Sequence, residues 1–331
     1  MHAMPFPGRA RGLHLVALRR REVRLALGFI AAAAITIGAL SQALAAGPTV
    51  RDATGREVDV GAAQRIVTIG GAVTEIVYAL GAEDRIVARD STSFYPAAAQ
   101  DKPDVGYMRA LSAEGVLSVK PDLILAVEGS GPPEVIQLLE AASVPMVVVP
   151  ETYTADGIAA KVELVAAVLG KEEEGRALAD GIRARFAALS DALSGLDEAD
   201  RKRVVFLMGI NDGKPLAAGS GTAADSIIRL AGGTNPMAAI PGYKPASDEA
   251  LAAAAPQAIV MMRRPGAEPA SPEEIFAVPA LTTTPAAAAK ALVVMDGLYL
   301  LGFGPRTADA ARDLAHALYP ALALPAAATA P

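Results

Sequence analysis

Ser112-Ala113-Glu114-Gly115-Val116-Leu117-Ser118-Val119-Lys120-Pro121-Asp122-Leu123-Ile124-Leu125-Ala126-Val127 carries three signals in a row. Ser112 is a helix start, and Glu114 stands in the first turn, where the helix dipole favours negative charge. Lys120-Pro121-Asp122 ends the helix, because proline has no backbone donor and clashes with the preceding turn. Leu123 to Val127 is a short, unbroken apolar run, the pattern of a strand covered on both faces. The unit is therefore a capped helix, a proline break and a buried strand. It recurs: Ser247-Asp248-Glu249, Pro256 and Ile259 match Ser112-Ala113-Glu114, Pro121 and Ile124 at a constant offset of 135 residues. A looser match sets Glu75 to Leu80 against Asp225 to Leu230. A repeat of this kind points to two similar lobes with a ligand cleft between them.

The rest of the chain fits two such lobes. Arg65 to Gly71 reads as a buried strand closed by two glycines, Ala72 to Leu80 as a helix stopped by Gly81, and Arg85 to Arg89 as a second strand. Ser91 to Gly106 is a loop, Glu134 to Ala142 a helix, and Pro145 to Val149 a fourth strand. Ala155 to Leu169 and Lys171 to Leu193 show only helical spacing, with Ile182, Phe186, Leu189 and Leu193 on one face. They read as a long helical crossing between the lobes. Beyond it, Arg203 to Met208 is a strand, Gly209 to Thr222 a glycine-rich loop and Ala223 to Leu230 a helix. Ser247 to Ala254, Ser271 to Val278 and Thr307 to Leu318 are further helices, with strands at Ala258 to Met262 and Ala291 to Met295. The expected fold is α/β, with two Rossmann-like lobes, each a mostly parallel sheet flanked by helices, joined by one long interdomain helix. The expected divisions are an N-terminal lobe at 47–169, the helix at 170–196, a C-terminal lobe at 197–319 and a disordered Ala/Pro tail at 320–331.

Residues 1–46 read as a cleavable signal peptide. Arg19, Arg20, Arg21 and Arg24 form its basic region. Leu25 to Leu40 is apolar but short of the roughly 20 residues that span a membrane, and Ala43-Leu44-Ala45 has the small-x-small pattern of a cleavage site. Composition then narrows the function. A formal net charge of −6, from 30 basic and 36 acidic residues, argues against a nucleic-acid partner. There is no cysteine, and His2, His14 and His316 are the only histidines. Removal of the signal would leave one. A Ser-His-Asp site or a zinc site is then close to excluded, so a secreted α/β hydrolase is a poor fit and the chain reads as a non-enzyme. Manganese and zinc carriers, which draw on several histidines, are disfavoured for the same reason.

The candidate site lies just before the opening helix, in Asp104-Val105-Gly106-Tyr107-Met108-Arg109. In an extended loop Tyr107 and Arg109 point the same way and can share one site. A guanidinium beside a phenol favours its ionised form. Tyr95, Tyr243 and Met108 are candidate cleft-lining residues.

The run from Ile66 to Asp90, the Gly106-Tyr107-Met108-Arg109 box and Leu111 to Leu117 resemble the periplasmic haem-binding proteins of ABC haem-uptake transporters. The resemblance covers essentially the whole mature chain; the broader pattern is shared with helix-linked carriers of cobalamin and siderophores, which are the alternative ligands. It implies that Tyr107 is the axial ligand of ferric haem, a hard phenolate oxygen on a hard iron. It implies that Arg109 stabilises that phenolate, and that Arg263 or Arg264, at a strand end in the second lobe, meets the phenolate or a propionate. Haem b would be transported cargo rather than a catalytic cofactor. Some relatives carry a histidine for a second haem where Met208 to Asp212 stands here without one, which implies a single haem. The implied partners are an ABC permease dimer with its cytoplasmic ATPase, and an outer-membrane haem receptor system upstream. Glu114 and Glu249 would dock on permease arginines, one from each lobe. The implied location is the periplasm.

Overall fold

The chain enters its first lobe through a short antiparallel hairpin, β1 (Thr49–Arg51) and β2 (Glu57–Asp59). Asp52 holds the turn, accepting from the Thr54 hydroxyl at 2.6 Å and the Arg56 guanidinium at 2.8 Å. The first parallel unit follows: β3 (Ile66–Ile69), α1 (Gly71–Ala79), β4 (Ile86–Arg89), α2 (Ala113–Ser118), β5 (Leu123–Val127), α3 (Pro133–Ala141) and β6 (Met146–Val149). The sheet order is β4-β3-β5-β6, all parallel. Every residue of β3 and β5 is buried, as unbroken apolar strands between two helical layers require. Gly70 joins β3 to α1 at φ +105°, and a Cβ there would sit 2.6 Å from a Val127 methyl, so only glycine fits.

This computed structural model describes His2 and residues 48–211, 214–266, 268 and 271–326. The expected signal peptide, His2 apart, lies outside the described residues. Two helices lead away from the first sheet. α4 (Ala155–Leu169) is capped by the Thr154 hydroxyl and stopped by Gly170 in the left-handed region at φ +66°. α5 (Glu172–Leu193) is the long connection, with Ile182, Phe186, Leu189 and Leu193 buried along one face. Gly175 lets it lie against α4, because a Cβ there would overlap Ala166.

The second lobe contains β7 (Val204–Asn211), β8 (Lys214–Ala218), α6 (Ala223–Leu230), β9 (Tyr243–Pro245), α7 (Asp248–Ala254) and β10 (Ala258–Arg263). Three short helices, α8 (Pro272–Phe276), α9 (Pro279–Thr282) and α10 (Pro285–Ala288), precede β11 (Leu292–Asp296), α11 (Gly297–Leu301) and α12 (Thr307–Leu318). The order is β11-β10-β7-β8-β9, parallel through the first three and antiparallel at β8 and β9. Here the expected glycine-rich loop from Gly209 to Thr222 is corrected. The chain doubles back as a β7–β8 hairpin, and Asp212-Gly213 between the strands is the dipeptide that favours such a turn. Tyr243, a candidate cleft-lining residue, lies on the edge strand β9. At the C-terminus, Leu322 and Leu324 pack against the core, within the tail expected to be disordered from 320.

The repeat holds in three dimensions. Ser112 and Ser247 both cap their helices, accepting from Gly115 N–H at 3.1 Å and Ala250 N–H at 3.2 Å. Lys120 and Ala255, at the same offset, both have positive φ, +51° and +40°. Their carbonyls accept from Arg65 Nε at 2.9 Å and Arg203 Nε at 3.1 Å. One apolar cluster runs through both lobes, joining Val73, Ile76 and Leu125 to Phe206, Ile227 and Phe303.

Candidate functional site

In open parallel sheets ligands bind beyond the carboxyl ends of the strands. Those ends carry Gly70, Asp90, Glu128 and Glu151 in the first lobe, and Arg263 and Asp296 in the second. The two edges meet where residues after β3 touch residues after β11. Gly304 abuts Ala72 and Glu75, Gly71 abuts Leu298, and the Arg306 guanidinium donates to Glu75 at 3.0 and 2.8 Å.

Tyr107 is presented by a backbone-pinned turn. Asp104 pairs with Arg89 at 2.8 Å and accepts from Gly106 N–H at 2.8 Å. The Gly106 carbonyl accepts from Ser91 N–H at 2.9 Å, and Gly106 itself sits at φ +101°. Ala110 N–H then donates to the Tyr107 carbonyl at 2.8 Å, while Met108 and Leu111 bond to Gly131. The segment is thus a turn and not the extended loop expected from the sequence, so the alternation argument for Tyr107 and Arg109 does not apply. Both are nonetheless exposed, Tyr107 at 44 %, while Met108 between them packs against the core. Met108 is therefore a packing residue of the turn. The Tyr107 hydroxyl has no hydrogen-bond partner among the described residues.

The charge of Arg109 bears on residues of both lobes. It reaches Glu151 and Tyr153 of the first and Tyr243 of the second. Burial raises the Glu151 carboxyl and both phenols, and Arg109 opposes the rise in each case. For Glu151 the larger opposition comes from Lys161, and for Tyr243 from the Ala224 amide and the Thr222 hydroxyl. Tyr153 packs edge-on against Phe303 with centroids 4.9 Å apart, and Tyr243 against Phe206 at 6.4 Å. Below them Lys161 is wholly buried, donating to Glu151 at 2.9 Å and across the lobes to the Phe303 carbonyl at 3.2 Å. Removing one partner of a buried pair strands the other. Lys161→Met is therefore expected to lower stability by about 3 kcal/mol, read as a fall in the midpoint of urea denaturation.

The Tyr95 ring faces Arg306, whose guanidinium carbon is 3.4 Å from the ring centroid, in the seam between the lobes. Arg263 and Arg264 are exposed at the end of β10, with Arg263 in register with Asp296. No contact brings either to Tyr107 among the described residues. Glu114 and Glu249 are both exposed in the first turns of α2 and α7. The Glu249 carboxyl is held down by its own amide and the Ser247 hydroxyl. Sequence reasoning missed Glu75, Glu151, Lys161 and Arg306 as parts of the site. Lys161 alone left a trace, a lone cation among the apolar residues from Ile158 to Leu169.

A family described as periplasmic binding protein matches residues 66–298. A vitamin B12-binding protein of Yersinia pestis is 30% identical over 175 residues, which are 53% of this chain and 60% of that protein. The chain thus spans about 60% of the length of the curated relatives it matches. Among solved structures, the periplasmic heme-binding protein BhuT, in complex with two hemes, superposes with a TM-score of 0.72 at 38% identity, covering 78% of this chain and 99% of that one. RhuT of Roseiflexus sp. RS-1, a periplasmic heme-binding protein in apo form, gives 0.73 at 36% identity over 78% and 98%. A periplasmic heme-binding protein from Pseudomonas aeruginosa gives 0.73 at 33% identity over 80% and 95%.

Proposed function

The chain belongs to the periplasmic binding protein family, and from that premise we propose that it binds ferric haem between its lobes and delivers it to an ABC permease. The observation that carries this reading is the Tyr107 turn: an exposed phenol whose oxygen has no partner among the described residues, on a backbone pinned at the carboxyl edge of the sheet. Ferric iron is a hard acid, and a phenolate is a hard anionic donor suited to it. Arg109, exposed on the same turn, is the cation nearest in sequence to that phenol. Tyr153 and Tyr243 offer aromatic walls to a flat apolar ring. Arg263 and Arg264 are cations placed for propionates, which the carboxylates of Glu128 and Glu151 would repel. The likeness to heme-binding structures across nearly their full length supports the same ligand class.

In this reading Tyr107 is the axial ligand, Arg109 stabilises the phenolate, and haem b is cargo that leaves unchanged. Residues 1–46 direct the protein to the periplasm and are removed. Glu114 and Glu249 meet a permease dimer served by a cytoplasmic ATPase, and an outer-membrane receptor supplies the haem. A second reading, cobalamin as cargo, is favoured by the vitamin B12-binding relatives. The two part in a competition measurement. Hemin is expected to bind with an affinity unaffected by a hundredfold excess of cyanocobalamin or of a ferric siderophore (about 100-fold being 2.7 kcal/mol of discrimination). Displacement of hemin by cyanocobalamin would favour the second reading.

A further inference from the structure

We infer that Arg306, contributed by the second lobe, is a positioning residue for the turn that presents Tyr107; the inference rests on the haem-binding reading above. Arg306 Nε and Nη2 donate to the two Glu75 oxygens at 3.0 and 2.8 Å, and the Arg306 backbone N–H donates to the same carboxylate at 3.3 Å. A two-pronged pair of this kind fixes the plane of the guanidinium as well as its place. That plane lies against the Tyr95 ring at 3.4 Å, with Tyr299 on its flank at 5.2 Å. Burial works against the charge of Arg306, but the Glu75 carboxylate reverses the effect and the guanidinium stays protonated.

Tyr95 ends a short segment that is anchored at its other end. Asp90, fully buried, accepts from Gly70 N–H at 2.9 Å, Ser93 Oγ at 2.6 Å and Thr92 Oγ1 at 2.7 Å. From within this segment Ser91 N–H donates to the Gly106 carbonyl, the last backbone group before Tyr107. Among the described residues the Tyr107 side chain has no hydrogen bond to aim it, so its direction is set by the backbone of this loop. Arg306 stacking holds one end of that loop and Asp90 holds the other. A shift of the second lobe at Arg306 then moves the donor oxygen through Tyr95, Ser91 and Gly106.

Hydrogen exchange on the ligand-free protein tests the coupling without haem. The Ser91 and Ala110 amides are expected to exchange about tenfold faster in Arg306→Ala and in Tyr95→Ala, while amides of β5 keep their rates. Tyr95→Phe, which retains the ring face, is expected to restore protection. Unchanged exchange at Ser91 and Ala110 in both alanine variants overturns the inference. With hemin added, the alanine variants should show a weakened or shifted phenolate band and about tenfold lower affinity, again restored in Tyr95→Phe. Spectra and affinities identical to wild type would also overturn it. A wild-type protein that shows no phenolate band defeats the Tyr107 reading instead, and exchange then decides the coupling alone. If Arg306→Ala fails to fold, Tyr95→Ala, at a ring 37 % exposed, carries both measurements.

Discussion

Replacing Tyr107 with alanine is expected to lower hemin affinity by about a hundredfold or more, and Tyr107→Phe should do the same. Loss of a group that only supports a metal ligand already costs about 10- to 100-fold, and here the ligand itself is lost. The phenylalanine variant separates coordination from packing, because it keeps the ring and removes only the oxygen. Stability should hardly change in either, since Tyr107 is 44 % exposed and its hydroxyl bonds to nothing among the described residues. Arg109→Ala is expected to fall between, because in the proposed site it removes a supporting charge and leaves the donor in place. Equilibrium titration with hemin, followed by absorbance, measures all three. A Tyr95→Ala protein that loses as much affinity as Tyr107→Ala would mean that the donor has been assigned to the wrong tyrosine.

Reversing both acids of the repeat, Glu114→Lys with Glu249→Lys, is expected to abolish import while hemin affinity stays within about twofold of wild type. The two residues occupy equivalent first-turn positions and are exposed on separate lobes, so together they would present a two-fold pattern to the proposed permease dimer. Each also favours its own helix N-terminus. Thermal melts separate the two roles. A purely helix-starting role predicts a small loss of stability with transport intact; a docking role predicts transport lost from a folded, haem-loaded protein. Uptake by vesicles containing the permease and its ATPase reads the difference directly. Tyr107 and Glu114 are seven positions apart, so the proposed cargo and docking contacts would share one short stretch.

Much of the fold was legible because local chemistry and burial agree. Unbroken apolar runs became β3 and β5, and Ser112 and Ser247 became caps with the expected amide bonds. The β7–β8 hairpin lies in a stretch where Gly209, Gly219 and Gly221 suggest a loop and a single Asp-Gly dipeptide is the turn signal. The Tyr107 box reads from sequence as an extended loop that turns Tyr107 and Arg109 the same way, and the structure makes it a turn instead. Its bonds to Gly131 and Ser91 curl it into a turn, and neither partner lies within the box. The inter-lobe contacts were not legible at all. Glu75 and Arg306 are 231 residues apart, and Lys161 and Phe303 are 142 apart. No local pattern marks such pairs; only the folded topology brings them together. Tyr95 shows the same limit, since an aromatic loop residue near the cleft turns out to serve a cation in the seam.

The most direct test of the central claim is the visible absorption spectrum of the purified mature protein titrated with hemin. The account predicts a high-spin ferric spectrum with a phenolate-to-iron charge-transfer band that is present in wild type and absent in Tyr107→Phe. No such band in wild type, or an unchanged band in Tyr107→Phe, would contradict it.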